Sequence, residues 1–468
     1  MTRLAWTFLR SAGWPRAALL AGFTALATAL ALVALTMLLL PSQPAEALFS
    51  LVAEPGLRWG TAFATALLVL PLLLMLNQVV RLGTATRERR LAGLRLAGAT
   101  PAEVRRIGAV EVGFPVTVSA ISGPVVFALL RDLFGGQRLA GPTGGSYLDM
   151  GSAPALIPTS VTPPWWQIGG VVAVVAAAGI ATGAMASRHL IASPLGVSRR
   201  ARPPAPRPWG LLLVGTGLVA VVAFGLRAFA VSGLRQAVVM VGILLVALGV
   251  IALAPWVAFR SGQRAARRTP DPATLIAAGH LVSDPGPAGR AAAAVGAIGI
   301  VSGAAAVLEL GGAFQGPSGP FDNAFVVISF ALVGVALVLV LLVTTSTLAV
   351  HAAESVLDRR RVLAALVAAG TPVSVLRDSL RREAMLTSMP LSIGGVLLGV
   401  VVTGGIGVIS GQPGITFQQG WTLVVPALFV CAQVIVTVGL TWLAIRIAIR
   451  AVEHRLVLAT SPDNLRIE

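Results

Sequence analysis

Ten apolar runs, each near twenty residues long, constrain this chain more than any other feature. A helix of about 20 residues covers the roughly 30 Å of hydrocarbon in a bilayer. The runs do not alternate apolar and polar residues, as the strands of a membrane barrel would. We therefore predict an all-α polytopic integral membrane protein with about ten transmembrane helices and no large extracellular domain. The predicted spans lie near 17–40, 59–80, 110–131, 166–186, 209–227, 236–258, 291–312, 323–349, 384–408 and 421–445.

The composition agrees with a membrane-embedded chain. Hydrophobic residues make up 56% of the 468 residues and charged residues only 11%, whereas a soluble domain carries about a quarter charged residues. The first run could be read as a secretory signal with Ala45-Glu46-Ala47 as its cleavage site. Because it is too long for the apolar part of a signal peptide, we expect it to remain as the first span.

The net charge of +17 comes from 35 basic residues, and all of them are arginine. If the N-terminus is cytoplasmic, the predicted spans leave five of these arginines outside. Positive charge concentrates on the cytoplasmic side of membrane proteins, so both termini are predicted to be cytoplasmic. We assign the surplus charge to anionic membrane lipids and not to nucleic acid. The five outer residues are Arg58, Arg131, Arg138, Arg227 and Arg235.

An internal repeat at an offset of 272 residues organises the chain. Six predicted spans separate corresponding positions, an even number, so the two halves share one orientation. The layout is four spans, a two-span connector and four spans, that is, a parallel repeat. The connector segments 187–208 and 259–290 are rich in Arg, Pro and Gly and are predicted to form turns, linkers and membrane-surface elbows. The offset aligns Arg87, Arg89, Leu91, Ala92, Leu94, Ala97, Gly98 and Glu111 with Arg359, Arg361, Leu363, Ala364, Leu366, Ala369, Gly370 and Glu383.

The repeated stretch TRERRLAGLRLAGATPAEVRR, residues 86–106, predicts two helices joined by a sharp turn. Apolar residues at three-residue spacing predict a short amphipathic helix. Gly98 suits the left-handed position just past its end. Thr100-Pro101-Ala102-Glu103 then predicts a capping box with Pro at the first helical position. The second copy repeats the pattern with Thr371-Pro372, and Ser374 in place of the capping Glu predicts a weaker cap.

The run R-x-R-R-L-x-x-L-R-x-x-G-A-T, with a Glu at the mouth of the next span, resembles the FtsX-like permease family, the membrane subunits of MacB-type ABC transporters and mechanotransmitters. The second copy resembles it less closely, with Arg360 where the first has Glu88. The ten-span layout is similar to BceB-like permeases. The resemblance divides the chain into 1–58 (N-terminal elbow and first span), 59–190 (first FtsX-like permease domain), 191–322 (connector spans five and six with span seven), 323–450 (second FtsX-like permease domain) and 451–468 (cytoplasmic tail).

The resemblance implies a separate ABC ATPase subunit, acting as a dimer, that binds ATP and Mg²⁺. A Walker A loop needs a lysine, and this sequence contains none, so we expect the other subunit to bind ATP and this chain to hold no cofactor. The sequence also has no HExxH motif, no Cys/His cluster and no GxSxG motif with suitable partners, so we expect no metal site and no catalytic residue. The two copies of the motif would be the footprints of the ATPase dimer. The predicted ATPase-coupling residues are Arg87, Glu88, Arg89, Leu94, Gly98, Arg359, Arg361, Leu366 and Gly370.

Three carboxylates are candidates for a gating role. Glu111 and Glu383 stand at the cytoplasmic mouths of their spans, where a helix dipole alone also favours a carboxylate. Glu309 lies near the outer end of span seven, within reach of the headgroups. Gln433 is predicted to make an interhelical hydrogen bond. Gly394-Gly395, Gly399 and Gly404-Gly405 are predicted to allow close helix packing in span nine.

The predicted function is a permease subunit that exports or extracts an amphipathic or lipid-like substrate, such as a peptide, a drug or a lipid, in the bacterial cytoplasmic membrane. One alternative is a signal transmitter of the same fold, in which ATP hydrolysis regulates an outside partner without transport. Another is an ion-coupled secondary transporter, which predicts charged or broken helices at mid-membrane and no ATPase partner.

Overall fold

The computed structural model describes residues 14–42, 44, 48–53, 55–69, 72–73, 76, 98, 100–135, 155–191, 205–225, 232–314, 323–410 and 424–461. The chain divides into two compact units, Met1–Arg199 and Arg200–Glu468. The described parts of both units are built from helices. The only β contact among these residues is an isolated bridge between Leu48 and Ala155. The predicted all-α fold is confirmed.

The first unit contains α1 (Trp14–Leu39), α2 (Ser50–Ala53), α3 (Pro55–Leu67), α4 (Pro101–Phe134) and α5 (Trp165–Ile191). The second unit contains α6 (Trp209–Gly225), α7 (Ser232–Arg268), α8 (Pro272–Ser283), α9 (Pro285–Phe314), α10 (Asn323–Asp358), α11 (Arg360–Ala368), α12 (Val373–Ser410) and α13 (Val424–Ala459).

The described helices fit a polytopic membrane protein. Each predicted span lies on or begins in one of them, although most of the second span beyond α3 falls outside the described residues. Within the described residues, five helices are long and apolar enough to cross a membrane by length and composition. These five are parts of α1, α4, α7, α12 and α13.

Four helix pairings occur in both units. In the first unit α1 packs against α3, α4 and α5, and α4 packs against α5. In the second unit α9 packs against α10, α12 and α13, and α12 packs against α13. The offset of the sequence repeat relates these helices to one another in the same order, so the repeat in sequence is also a repeat in structure.

Glycines bring the backbones of α9 and α12 into direct contact. A Cβ added at Gly395 would lie 2.3 Å from the Gly296 carbonyl oxygen, and one added at Gly399 would lie 2.2 Å from that of Ile300. Small residues allow this approach where apolar lipid gives helices little other reason to associate. The prediction for Gly395 and Gly399 is confirmed. It is wrong for Gly394 and Gly404, where an added Cβ would meet nothing within 4 Å because both point away from α9.

Arg58 closes the end of α1 in the first unit. Its side chain is buried, with 5% of the residue exposed. The guanidinium donates to the carbonyls of Leu40 (2.9 Å) and Pro41 (2.8 Å) just beyond α1, and to those of Val52 (2.8 Å) and Ala53 (2.6 Å) at the end of α2. Helix ends leave carbonyls without intrahelical partners, and this one side chain satisfies four carbonyls at the ends of two helices.

The second connector segment is more helical than predicted. α7 continues to Arg268, and α8 occupies 272–283 where turns and linkers were expected. Asp271 caps α8, since its carboxylate accepts from the Thr274 N–H at 2.9 Å and Pro272 follows at the first turn. Ala277, Ala278 and Leu281 of α8 are fully buried. The sequence TPDP therefore starts a packed elbow helix, because its Asp-Pro pair supplies a helix cap.

Candidate functional site

The second copy of the repeated motif forms a rigid helix–turn–helix. α11 ends at Ala368, and Gly370 follows with φ of +92°. The Gly370 N–H donates to the Val367 carbonyl and the Thr371 N–H to the Leu366 carbonyl, both at 2.9 Å. This pair of bonds is the Schellman arrangement, which closes a helix through a left-handed residue. α12 then begins at Val373 and continues as the predicted ninth span.

The first copy also has a left-handed glycine at the corresponding position. Gly98 has φ of +96°, and Thr100 caps α4. The Glu103 N–H donates to the Thr100 hydroxyl oxygen at 3.3 Å, and the Thr100 N–H donates to the Glu103 carboxylate at 2.8 Å. Pro101 occupies the first helical turn. The predicted left-handed glycine and capping box are confirmed, while Arg87, Glu88, Arg89 and Leu94 lie outside the described residues.

The two sides of α11 face different surroundings. Leu363 and Ala364 are buried, and Leu363 belongs to a hydrophobic core cluster within the second unit. Leu366 is partly buried and packs against the same cluster. Arg361 is exposed, and Val362 is exposed to 55%. Leu366 was predicted to seat in a partner, but its contacts here are partly within the chain. Val362 is the large apolar side chain that α11 presents outward.

Arg359, between α10 and α11, binds a buried carboxylate on α12. Its Nη1 lies 3.2 Å from Oε2 of Glu383, whose side chain is 6% exposed. His280 of α8 also contacts this carboxylate, with Nδ1 3.4 Å from Oε2, and Arg359 Nη1 contacts the same imidazole nitrogen. We call Arg359, Glu383 and His280 the Glu383 cluster. It ties the start of the coupling segment to the mouth of the ninth span and to the elbow helix.

Two further ion pairs hold the same end of α12. Arg382 lies 3.1 Å from the Asp271 carboxylate at the start of α8. Arg377 lies 2.9 Å from Glu453 on α13 in a more exposed position. The Thr274 N–H and hydroxyl, which donate to Asp271, lower the pKa of this carboxyl below its ordinary value, and Arg382 adds to this. The end of α12 is therefore connected electrostatically to α8, to α13 and to the segment before α11.

A small cavity adjoins the Glu383 cluster. Its volume is about 20 Å³, room for about one water molecule. Most of its wall is apolar, from Ala and Leu of α9, α10 and α12 and from Ile and Ala of α13. The polar groups that line it are His351 and Ser355 of α10 with Glu383 and Thr387 of α12.

Other predicted residues are placed less fully. Glu111 lies in α4 and Glu309 in α9, but their side chains are outside what the structure describes. The hydrogen bond predicted for Gln433 is confirmed, because its Nε2 donates to the Ser302 hydroxyl at 2.8 Å, joining α13 to α9. His280, Ser355 and Arg58 were not predicted to matter. Only the tertiary fold brings the first two to Glu383, and no motif marks the third.

Comparison with known protein families bears on the first unit. Residues 61–195 match the family model of the FtsX-like permease C-terminal domain. This range covers the end of α3, the turn at Gly98 and the helices α4 and α5. No curated protein matches the chain. Residues 61–195 are therefore similar to the C-terminal domain of FtsX-like permeases, which are membrane permease components of ABC-type systems.

Proposed function

We propose that this permease is driven by a separate ABC ATPase dimer that docks at the two helix–turn–helix segments. The work done is export or extraction of an amphipathic or lipid-like molecule, such as a peptide, a drug or a lipid. The ATPase subunits bind ATP and Mg²⁺. On the predicted topology the chain lies in the bacterial cytoplasmic membrane, with both termini and both docking segments in the cytoplasm.

The repeated turn is the observation that carries this proposal. Gly98 and Gly370 take nearly the same backbone angle, +96° and +92°, and each is followed by Thr-Pro and a long helix. A connecting loop needs no such conservation of geometry within one chain. A left-handed glycine at the same place in both copies suits two equivalent subunits that dock at the two segments.

The Glu383 cluster supports a route from the docking segment into the membrane helices. A push on α11 acts directly on Arg359, which immediately precedes it. Through the 3.2 Å contact with Glu383, the displacement reaches α12. Because α12 packs on α9 along the glycine seam and on α13, its motion would move the whole second unit.

The substrate class rests on the character of the helices. The five apolar stretches of the described chain each contain a window with at most two charged residues. A pathway for sugars or ions would need more polar lining, whereas a substrate already in the bilayer can enter from the side. The aromatic pair Trp165 and Trp166, exposed to 84% and 61% at the start of α5, suits a position in the membrane interface.

The docking proposal is tested with Val362→Asp. The tagged chain is purified from its native membrane in mild detergent, co-purifying proteins are identified, and vanadate-sensitive ATP hydrolysis is measured. We expect an ATPase to accompany the wild type and to be lost from the variant. Val457→Asp is the matched control, since Val457 is exposed to 58% on α13, and it should keep the ATPase.

Three outcomes would change the conclusion. A wild-type chain that purifies without an ATPase would favour the secondary transporter. An ATPase retained by Val362→Asp would move the docking surface elsewhere. An ATPase lost on Val362→Asp, combined with no substrate movement in vesicles that contain the wild-type complex, would favour the signal transmitter.

A further inference from the structure

The cavity beside Glu383 contains a hydroxyl that the described structure does not satisfy. Ser355 is 7% exposed and lines this cavity together with Glu383. Among the described residues its Oγ has no hydrogen-bond partner. A buried polar group without a partner costs free energy, so this hydroxyl is available to bind a water molecule or a protonated group in the cavity.

Several charged or titratable groups face Glu383. Arg359 and His280 contact its carboxylate. His351 of α10 lines the same cavity and interacts electrostatically with Glu383, and Arg290 of α9 and Asp284 interact in turn with His351. Arg382 is directed to Asp271, and α13 contributes Ile445, Ala448 and Ile449 to the wall. Arg359 is thus the permanently charged group that holds this carboxylate by direct contact in the described structure.

The imidazoles belong to the second copy only. At the repeat offset, Arg87 and Glu111 correspond to Arg359 and Glu383, but Phe8 and Val79 stand at the positions of His280 and His351. Ser355 corresponds to Gly83. The first copy has no imidazole or hydroxyl group at these three sequence positions, so their presence in the second points to a chemical task at this one site.

That task follows from the position of Arg359. A push on α11 that withdraws the guanidinium would leave Glu383 buried without its counter-charge. Burying an unpaired carboxylate is costly, and such groups take up a proton instead. The imidazole of His280, 3.4 Å away, can share that proton. A neutral carboxyl group also needs a hydrogen-bond acceptor, which the Ser355 hydroxyl or a water molecule in the cavity can provide.

We propose that the Glu383–His280 pair is a proton-binding site. It holds no proton while Arg359 contacts Glu383, and it takes up one proton from the cytoplasm when Arg359 withdraws. Movement of the docking segment is thereby linked to proton uptake, and the cavity with Ser355 solvates the protonated form. This rests on the proposed function only for what moves Arg359. The site itself is tested without any ATPase.

The test replaces Arg359 by Gln, which imitates withdrawal of the guanidinium. The variant's native state should bind one proton more than its unfolded state near neutral pH. Its stability should then fall as pH rises, because the unfolded state binds fewer protons. We expect the unfolding equilibrium constant of the full-length chain in detergent to rise about tenfold per pH unit between about pH 6.5 and 8.5. The wild type should show a clearly smaller slope over this range.

Three matched variants complete the test. Arg361→Gln, which replaces an exposed Arg on the same segment, should show the same pH dependence of stability as the wild type. Arg359→Lys should restore a positive charge and flatten the pH dependence. Adding Glu383→Gln to Arg359→Gln should remove both the pH dependence and the infrared carbonyl band of a protonated carboxyl group or the matching imidazolium band.

If Arg359→Gln unfolds at high pH, recovery of the folded chain at low pH is itself the expected result. Stability of Arg359→Gln that does not vary with pH, or a pH dependence that survives Glu383→Gln, would overturn the proton site. A wild-type chain without an ATPase, or an ATPase retained by Val362→Asp, would refute the docking proposal and leave this result unaffected, so the two proposals fail independently.

Discussion

The glycine seam between α9 and α12 makes a quantitative prediction for Gly399→Ala. The new methyl carbon would lie 2.2 Å from the Ile300 carbonyl oxygen and 2.8 Å from the Ala304 nitrogen. Carbon–oxygen contacts are ordinarily about 3.3 Å or longer, so the two helices must separate by about 1 Å at this level. Backbone atoms cannot rotate away as a flexible side chain can.

The cost can be compared with a control on the same helix. Overpacking a tight contact costs about 1–3 kcal/mol. Gly394→Ala adds the same methyl where nothing lies within 4 Å, and it should gain about 0.5–1 kcal/mol by restricting the unfolded chain. The two variants should therefore differ by about 1.5–4 kcal/mol in the free energy of unfolding, with Gly399→Ala the less stable.

The measurement is reversible unfolding of the purified chain in mixed micelles, followed by tryptophan fluorescence. If neither variant loses stability relative to the wild type, α9 and α12 are not in backbone contact in the membrane. Equal losses in both variants would instead show that any methyl group on α12 is harmful. Either result would refute the seam as the basis of this helix pair.

Three further substitutions test other parts of the structure. Gly370→Ala places a side chain at φ of +92° in open space, so it should loosen the coupling segment by about 1–2 kcal/mol, measured as faster hydrogen exchange in α11, whereas Gly279→Ala should not. Arg58→Gln leaves buried carbonyls unsatisfied and should lower the stability of the first unit by about 3 kcal/mol, measured by unfolding, with Arg58→Lys recovering only part of the loss. Asp271 has a pKa lowered by bonds from Thr274, so the stability it contributes is present above its ordinary pKa and lost as pH falls through the lowered one. Asp271→Asn should therefore flatten the acid dependence of the melting temperature, and an unchanged acid profile would contradict this.

Local signals in the sequence predicted the turns well. A glycine past a helix end and a Thr-Pro-x-Glu cap act over a few residues, so Gly98, Thr100 and Gly370 could be assigned from the sequence alone. Long apolar runs likewise fixed the helices, because hydrocarbon thickness sets their length.

Contacts between distant residues could not be predicted in the same way. His280 and Glu383 are over one hundred positions apart in the sequence and meet only because α8 folds against α12. The apolar spacing in α11 predicted a buried face but not which neighbour covers Leu366. Similarly, the sequence alone does not distinguish Gly394 from Gly395. Only the folded structure shows that Gly395 contacts α9 and that Gly394 does not.

The Arg58 contacts differ from the Glu383 cluster in a way that matters for a protein with two aqueous faces. Every group that Arg58 binds is a peptide carbonyl, and neither a guanidinium nor a carbonyl changes its protonation in ordinary media. On the predicted topology, this end of the first unit faces a medium whose acidity the cell does not regulate. These hydrogen bonds should therefore persist from acidic to alkaline surroundings, in contrast to the proton-binding site proposed at Glu383.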